Sequence, residues 1–185
     1  EVPYYIFPVI ALLCNIIVVS GNCLNYTKAG NLNFKILIPF LVGSIPFAYL
    51  GGTIPVEKKY FEILLFVVLS IAGILLLFNF KIYDDNNKNY RKLSKTLSVV
   101  IGSIIGLISG IIGIGGGIFL SPILFLTRSV RPKYIVTATS FFILVNSIFG
   151  AAGQLSKNVV FNELLNYWYL LLVVLAGGQI GNFLN

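Results

Sequence analysis

The hydrophobic positions of this chain fall into six long apolar runs that are separated by short polar gaps. Each run is long enough, or nearly so, to cross the roughly 30 Å of hydrocarbon in a bilayer as an α-helix. The runs are Tyr4–Gly21, Phe34–Ile54, Tyr60–Phe80, Thr96–Thr127, Tyr134–Leu155 and Leu164–Leu184. The pattern therefore predicts an all-α polytopic membrane protein.

The fourth run differs from the others because glycines interrupt it. Gly113, Gly115, Gly116 and Gly117 fill four of five consecutive positions. Glycine is the costliest ordinary residue inside a helix, and non-helical backbone at membrane depth is tolerated only where protein or a wet cavity satisfies its polar groups. The run therefore predicts a broken or re-entrant helix and, by its position, a candidate binding site.

The basic residues bear on how this broken segment runs. As one continuous helix it would be about 48 Å long, which is too much for one untilted crossing. If the segment enters the membrane and returns, ten of the 13 Lys and Arg residues lie on one side and three on the other. If it crosses once, the division is eight to five. The re-entrant path agrees better with the positive-inside rule, and a single crossing remains the alternative.

A shift of 129 positions aligns the beginning of the chain with its second half in one ungapped register. The shift places VPYYI (Val2 to Ile6) over RPKYI (Arg131 to Ile135). Identical pairs further along include Gly21 with Gly150, Lys28 with Lys157, Asn33 with Asn162, and Gly52 with Gly181. We interpret residues 1–80 as a partial first repeat with three transmembrane segments, 81–95 as a polar inter-repeat loop, and 96–185 as the second repeat. A re-entrant broken segment would make the repeats inverted, which is a recurrent plan among transporters. The duplication also predicts a second glycine run about 16 residues before Glu1.

Composition excludes several classes of function. Hydrophobic residues make up 57% and charged residues 10% of the chain, whereas a soluble domain would carry about 25% charged residues. The net charge of +7 is no nucleic-acid signal, since the basic residues lie in the gaps between apolar runs. The chain has no histidine and two cysteines, Cys14 and Cys23, which we interpret as packing residues. We therefore expect no metal site, no cofactor and no enzyme activity.

Two motifs carry a resemblance to a known family. They are GxxSGxxGIGGGxxxxPxL, from Gly106 to Leu124, and the ATS of Ala138 to Ser140. The chain resembles the sulfite exporter TauE/SafE family of membrane transporters in these motifs. The resemblance implies a permease of the cell membrane that moves small anions, above all sulfite, other sulfur oxyanions or organosulfonates, by alternating access. An anion channel and a non-transporting membrane subunit or scaffold are the alternatives, and the oligomeric state is left open.

The residues of the expected substrate site come from two places. Successive glycines leave backbone N–H groups free to converge on an anion, and the helix that follows adds its dipole; a simple hinge is the alternative. The polar residues of the fifth run are the second source, although such side chains often bond their own helix. The substrate-binding candidates are Gly113, Gly115, Gly116, Gly117, Thr139, Ser140, Asn146 and Ser147. Asn15 and Ser20 are weaker candidates from the first run.

The expected site is electrically neutral. No Asp, Glu, Lys or Arg lies inside the fourth, fifth or sixth apolar run, so hydroxyls, amides and backbone N–H groups would have to select the anion. Arg128, Arg131 and Lys133 follow the broken segment. They would either concentrate anions near the site or anchor the chain on the positive side of the membrane.

Overall fold

The structure is a computed structural model that describes residues 3–28, 34–79, 93–127, 132–157, 164 and 167–184. This part of the chain folds into α-helices joined by short connections. The helices are α1 (Phe7–Lys28), α2 (Phe34–Thr53), α3 (Lys58–Asn79), α4 (Lys95–Ile112), α5 (Gly117–Leu126), α6 (Pro132–Leu155) and α7 (Trp168–Leu184). Each predicted run contains one helix, except the fourth, which contains α4 and α5. The all-α prediction is therefore confirmed.

The largest difference in helix boundaries lies at the end of α1. The apolar run predicts an end near Gly21, but α1 continues to Lys28. The added residues are mostly polar, and Thr27 donates its hydroxyl to the carbonyl of Cys23 over 2.7 Å. Hydrophobicity marks where a helix lies in lipid, whereas the backbone hydrogen bonds can continue beyond it.

Helices α4 and α6 run in the same direction. A Cβ built on Gly116 would meet both Ile105 of α4 and Phe142 of α6, so these two residues lie at one level. Further along both helices, a Cβ built on Gly150 would lie 3.5 Å from the Cα of Gly110. Sequence number therefore increases in the same direction along α4 and α6.

The chain reverses direction between α4 and α5. A Cβ on Gly115 would lie 3.0 Å from the Oγ of Ser147, while one on Gly117 would lie 3.0 Å from the Cγ2 of Thr139. The segment thus passes from the later to the earlier part of α6 as it enters α5. Helices α4 and α5 consequently form a re-entrant hairpin.

The tightest helix pair is α2 with α4, which lie in parallel contact along a glycine stripe. Gly102, Gly106 and Gly110 recur every fourth residue and face the backbone of α2. A Cβ on Gly106 would lie only 2.8 Å from the Cα of Ser44. Small residues at this spacing let two membrane helices approach closely. The stripe places the end of α4, and hence the glycine segment, against a rigid neighbour.

The outer faces of the helices are apolar and exposed. Phe66 and Leu77 on α3 are 73% and 76% exposed, and Val173 on α7 is 67% exposed. Four of the described helices, α1, α2, α4 and α6, are long and apolar enough to cross a membrane. Exposed apolar side chains on such helices suit contact with lipid tails. The chain is an integral multi-pass membrane protein.

Two of the predictions concern residues outside the described part of the chain. They concern the polar loop 81–95, most of which lies there, and the basic residues Arg128 and Arg131.

The duplication of the chain stays a prediction. Helices α1 and α6, which correspond under the 129-residue shift, run in opposite directions, because Leu12 lies near Gly150 and Asn15 lies near the level of Ser147. Inverted repeats would have this relation.

Candidate functional site

The glycine segment is a sharp turn that only glycine adopts without strain. Helix α4 ends at Ile112, and the N–H of Gly113 still donates to the carbonyl of Ser109 over 2.8 Å. The φ angles of Gly113, Gly115 and Gly116 are 88°, 78° and 75°. The left-handed region costs an ordinary residue about 1–2 kcal/mol, whereas glycine enters it freely. The glycine run is therefore required by the backbone of this turn.

Polar side chains from two other helices lie against the turn. The hypothetical Cβ of Gly115 would be 3.0 Å from the Oγ of Ser147 and 3.1 Å from the Nδ2 of Asn15. Thr139, two turns earlier on α6, packs against Gly117. Residues spaced by seven or eight positions share one face of a helix, so α6 presents one polar face to the turn. Asn15 adds a group from α1.

The start of α5 leaves backbone donors open. Its N-cap residue is Gly116, and no side chain caps the helix. The first intrahelical bonds run from the N–H groups of Phe119 and Leu120 to the carbonyl of Gly116. The N–H groups of Gly117 and Ile118 thus have no intrahelical acceptor. Free N–H groups at a positive helix end are a common site for an anion.

Four buried polar atoms in the described residues have no hydrogen-bond partner. They are Ser109 Oγ, Thr139 Oγ1, Asn146 Oδ1 and Ser147 Oγ. The exposed fractions of these residues are 1%, 8%, 0% and 0%. An unsatisfied buried polar group costs about 1–3 kcal/mol, so four of them in one region need a physical reason. Three of these residues, Ser109, Thr139 and Ser147, lie directly against glycines of the turn.

The predicted site residues divide into those that meet at the turn and those that do not. Thr139 and Ser147 lie against the glycines, and Asn146 shares their helix with its amide nitrogen donating to the carbonyl of Phe142 over 2.9 Å. Ser140 differs from them because its hydroxyl already has a partner, the carbonyl of Val136 at 3.0 Å. The weaker candidate Ser20 likewise bonds its own helix, at the carbonyl of Ile17.

Ser109 also lies near the turn, although it was not among the residues predicted from the sequence. It lies on α4 one turn before the break, its Cβ is 3.4 Å from the position of a Cβ on Gly116, and its hydroxyl is unpaired. The motif GxxSG includes this serine, between two glycines of the helix-packing stripe. A buried hydroxyl just before a helix break is the signal that could have identified it.

The polar side chains named around the turn are uncharged. No group of three His, Cys, Asp or Glu residues that could hold a metal ion occurs in the described ranges. Of the three basic candidates near the hairpin, only Lys133 is described. Its ammonium lies 5.2 Å from the centre of the Tyr134 ring, an arrangement typical of a cation–π contact. Lys133 thus has an anchoring contact of its own.

Comparisons with known proteins give a consistent result. The family model described as "Sulfite exporter TauE/SafE" matches residues 2–185. The probable membrane transporter protein y4hK of Sinorhizobium fredii (strain NBRC 101917 / NGR234) is 24% identical over 181 residues, which cover 92% of this chain and 69% of that protein. The probable membrane transporter protein YunE of Bacillus subtilis (strain 168) is 23% identical over 195 residues, covering 95% and 70%. No solved structure matches the chain.

Proposed function

Because the chain belongs to the sulfite exporter TauE/SafE family, we propose that it moves sulfite or other small sulfur anions, organosulfonates included, by alternating access. A family match over nearly the whole chain and two relatives named as membrane transporters identify it as a membrane transporter rather than an enzyme. The substrate, the mechanism and the residues that bind are the proposal.

The observation that carries the proposal is the group of unpaired hydroxyls around the glycine turn. Ser109, Thr139 and Ser147 each have an O–H that can donate, and each is at least nine-tenths buried. An oxyanion offers several acceptor oxygens within a small radius, so it can receive bonds from three helix segments at once. Together with the N–H groups of Gly117 and Ile118, these hydroxyls form the anion site in this proposal.

Asn146 contributes a group of the opposite kind. Its amide nitrogen already donates to the carbonyl of Phe142, which leaves the acceptor Oδ1 without a partner. An acceptor repels the charged oxygens of an anion but receives a bond from a hydroxyl. Asn146 therefore suits the protonated oxygen of an anion such as hydrogen sulfite, and would orient it.

Neutral donors are suited to a transporter that must release what it binds. A buried lysine or arginine would hold an anion through a strong ion pair and would itself be costly in the membrane. Hydroxyl and N–H donors bind less strongly and leave no unpaired charge when the site is empty. The empty site then carries the cost of the four unsatisfied neutral atoms but no uncompensated charge.

Alternating access draws support from the way the site is built. The turn joins a long helix, α4, to the ten-residue helix α5, and the side chains that face it come from α1 and α6. Broken helices that meet full-length helices recur at transporter substrate sites. In our proposal the hairpin and the α1–α6 pair shift against each other to expose the turn to either side.

The test is uptake of ³⁵S-labelled sulfite into proteoliposomes that contain the full-length protein, with labelled glycerol as the neutral solute. We expect saturable sulfite uptake that accelerates when unlabelled sulfite is loaded on the opposite side. Flux that neither saturates nor shows counterflow would indicate that the protein is an anion channel and not a transporter. No anion uptake with correctly folded protein would favour the scaffold alternative and overturn the proposal.

A further inference from the structure

A cavity of about 310 Å³ lies at the end of the molecule where α2, α4 and α6 terminate. Its floor includes Pro8 and Ile111. A Cβ on Gly113 would lie 2.5 Å from the Cα of Pro8, so the floor of the cavity is in contact with the glycine turn. The volume is at the lower end of the range for small-ligand pockets. We name this space the outer cavity.

Lys157 lies in the wall of the outer cavity and is held in place by two hydrogen bonds. Its ammonium donates to the carbonyl of Ile54 over 2.9 Å and to the Oε1 of Gln154 over 3.0 Å. No carboxylate of the described residues pairs with it, since the ion pair found there joins Lys58 to Glu62. Burial lowers the pKa of Lys157. The wall of the cavity thus carries a half-buried cation that has no carboxylate partner among the described residues.

The helix ends around the cavity do not cancel this charge. Three C-termini meet here, and the negative end of a helix would by itself repel an anion. Gln154, however, donates its amide nitrogen to the carbonyl of Gly110 at the end of α4 over 2.8 Å. The ammonium of Lys157 likewise donates to the carbonyl of Ile54, the residue after the end of α2. An ammonium has three donors, so Lys157 retains one for a ligand.

The rest of the cavity wall is mainly apolar and aromatic. Tyr4 and Tyr5 line it with their rings in an edge-to-face contact at 5.6 Å, and Phe61 and Val56 line it as well. An inorganic anion would use the cation but would gain nothing from such a wall. An anion with an organic body would use both, because burying apolar surface adds binding free energy.

We propose that the outer cavity is a second anion site, where Lys157 binds the head of a small singly charged organic anion and the aromatic wall contacts its body. The class that fits is a short-chain sulfonate or a chemically similar monoanion. The proposal rests on the proposed function for its role, which is to collect substrate above the glycine turn. The binding itself does not require transport, and the two can be tested separately.

Binding is tested on the full-length protein in nanodiscs of phosphatidylcholine, with ethanesulfonate as the probe and ethyl methyl sulfone as its neutral analogue. The background is the variant Ser147→Ala, in which the site at the glycine turn is impaired. We expect ethanesulfonate at about tenfold excess over its Kd to raise the melting temperature by about 3 °C, and the sulfone to leave it unchanged. Adding Lys157→Gln should abolish the shift, and Lys157→Arg should keep it.

The matched control is Lys59→Gln, which removes the same charge from an exposed lysine on the same side of the membrane. This substitution should leave the ethanesulfonate shift intact. An equal shift with and without Lys157→Gln would overturn the proposal, and so would loss of the shift in Lys59→Gln. The proposal would also be overturned if phosphatidylglycerol in the nanodiscs raised the melting temperature through Lys157 while ethanesulfonate did not. The occupant would then be a lipid headgroup.

The KM of transport gives a second measurement, which should change only if Lys157 binds the substrate. Loss of one charge-assisted bond should raise the KM for ethanesulfonate about tenfold and lower the maximal rate by a smaller factor. The KM for sulfite, which lacks an organic body, should rise less. A drop in maximal rate without a change in KM would assign Lys157 to the fold and overturn its role as a ligand. Absence of transport in every variant would remove the proposed function but not the binding result.

Discussion

Two sets of glycines in one hairpin are used in opposite ways. Along α4, a Cβ on Gly102 or Gly106 would meet backbone atoms of Phe40 or Ser44 in α2. At the turn, a Cβ on Gly115 or Gly116 would meet side-chain atoms, and the φ angles there are positive. The stripe requires glycine because the backbones of α2 and α4 touch there. The turn requires glycine because its φ angles are positive and because a Cβ would collide with neighbouring side chains.

The difference shows which part of the hairpin is fixed and which part is open to a ligand. Along the earlier part of the stripe, the hydroxyls of Ser98 and Ser103 donate to backbone carbonyls of Ser94 and Val99. The turn is surrounded by hydroxyls without partners. Rigid packing on one side and unsatisfied donors on the other is the arrangement expected of a preorganised binding site.

The largest expected effect belongs to the stripe. Gly106→Val would place a Cβ 2.8 Å from the Cα of Ser44, and backbone cannot move aside as a side chain can. We expect stability to fall by about 3 kcal/mol, measured as thermal unfolding of the purified protein. Gly73→Val is the control, because nothing lies within 4 Å of a Cβ there. If both variants unfolded at the same temperature, the close contact between α2 and α4 at Gly106 would be contradicted.

A smaller loss of stability with a larger loss of function is expected at the turn. Gly115→Ala forces an ordinary residue to a φ of 78°, which costs about 1–2 kcal/mol. The new methyl group also occupies the space beside Ser147 and Asn15. We expect sulfite uptake to fall at least about tenfold, while Gly181→Ala on α7, with no neighbour within 4 Å, leaves it unchanged. Normal sulfite uptake by Gly115→Ala would show that the turn does not take part in binding the substrate.

The sequence predicts the turn well because its cause is local. Four glycines in five positions cannot continue a helix at low cost, whatever packs around them. The direction of α5 was also within reach, since the distribution of basic residues is a property of the whole chain. The bounds of α5 were within reach too, because it begins at the last glycine of the run and ends at Leu126, one residue before the end of the predicted apolar run.

The side chains around the turn were harder to predict because they depend on helix rotation. Thr139 and Ser140 are adjacent and chemically alike, yet the hydroxyl of Thr139 has no partner, whereas that of Ser140 donates to the carbonyl of Val136 in its own helix. Gln154 was not predicted either. Its partner, the carbonyl of Gly110, is 44 residues away, and nothing in the local sequence indicates such a contact.

Replacing one hydroxyl at the turn should separate function from stability. Ser147→Ala removes a buried oxygen that has no partner, so we expect unfolding free energy to rise by about 1 kcal/mol while sulfite uptake falls severalfold. Ser98→Ala is the matched control, because that buried hydroxyl donates to the carbonyl of Ser94 over 3.1 Å. It should lower stability slightly and leave uptake unchanged. Opposite signs in the two variants would support the ligand role, and a loss of stability in both would contradict it.

The smallest effect is expected one residue away from the turn-facing position. Ser140→Ala removes a hydroxyl that bonds the carbonyl of Val136 in its own helix, and that carbonyl keeps its backbone bond, so uptake should stay within about twofold. Thr139→Val removes only an unpaired hydroxyl while keeping the shape of the side chain, and it should lower uptake severalfold. Parallel sulfite uptake curves for the two variants check this. If Ser140→Ala is the more damaging change, the face of α6 that serves the substrate is not the one that contacts Gly117, and the site must be reassigned around the helix.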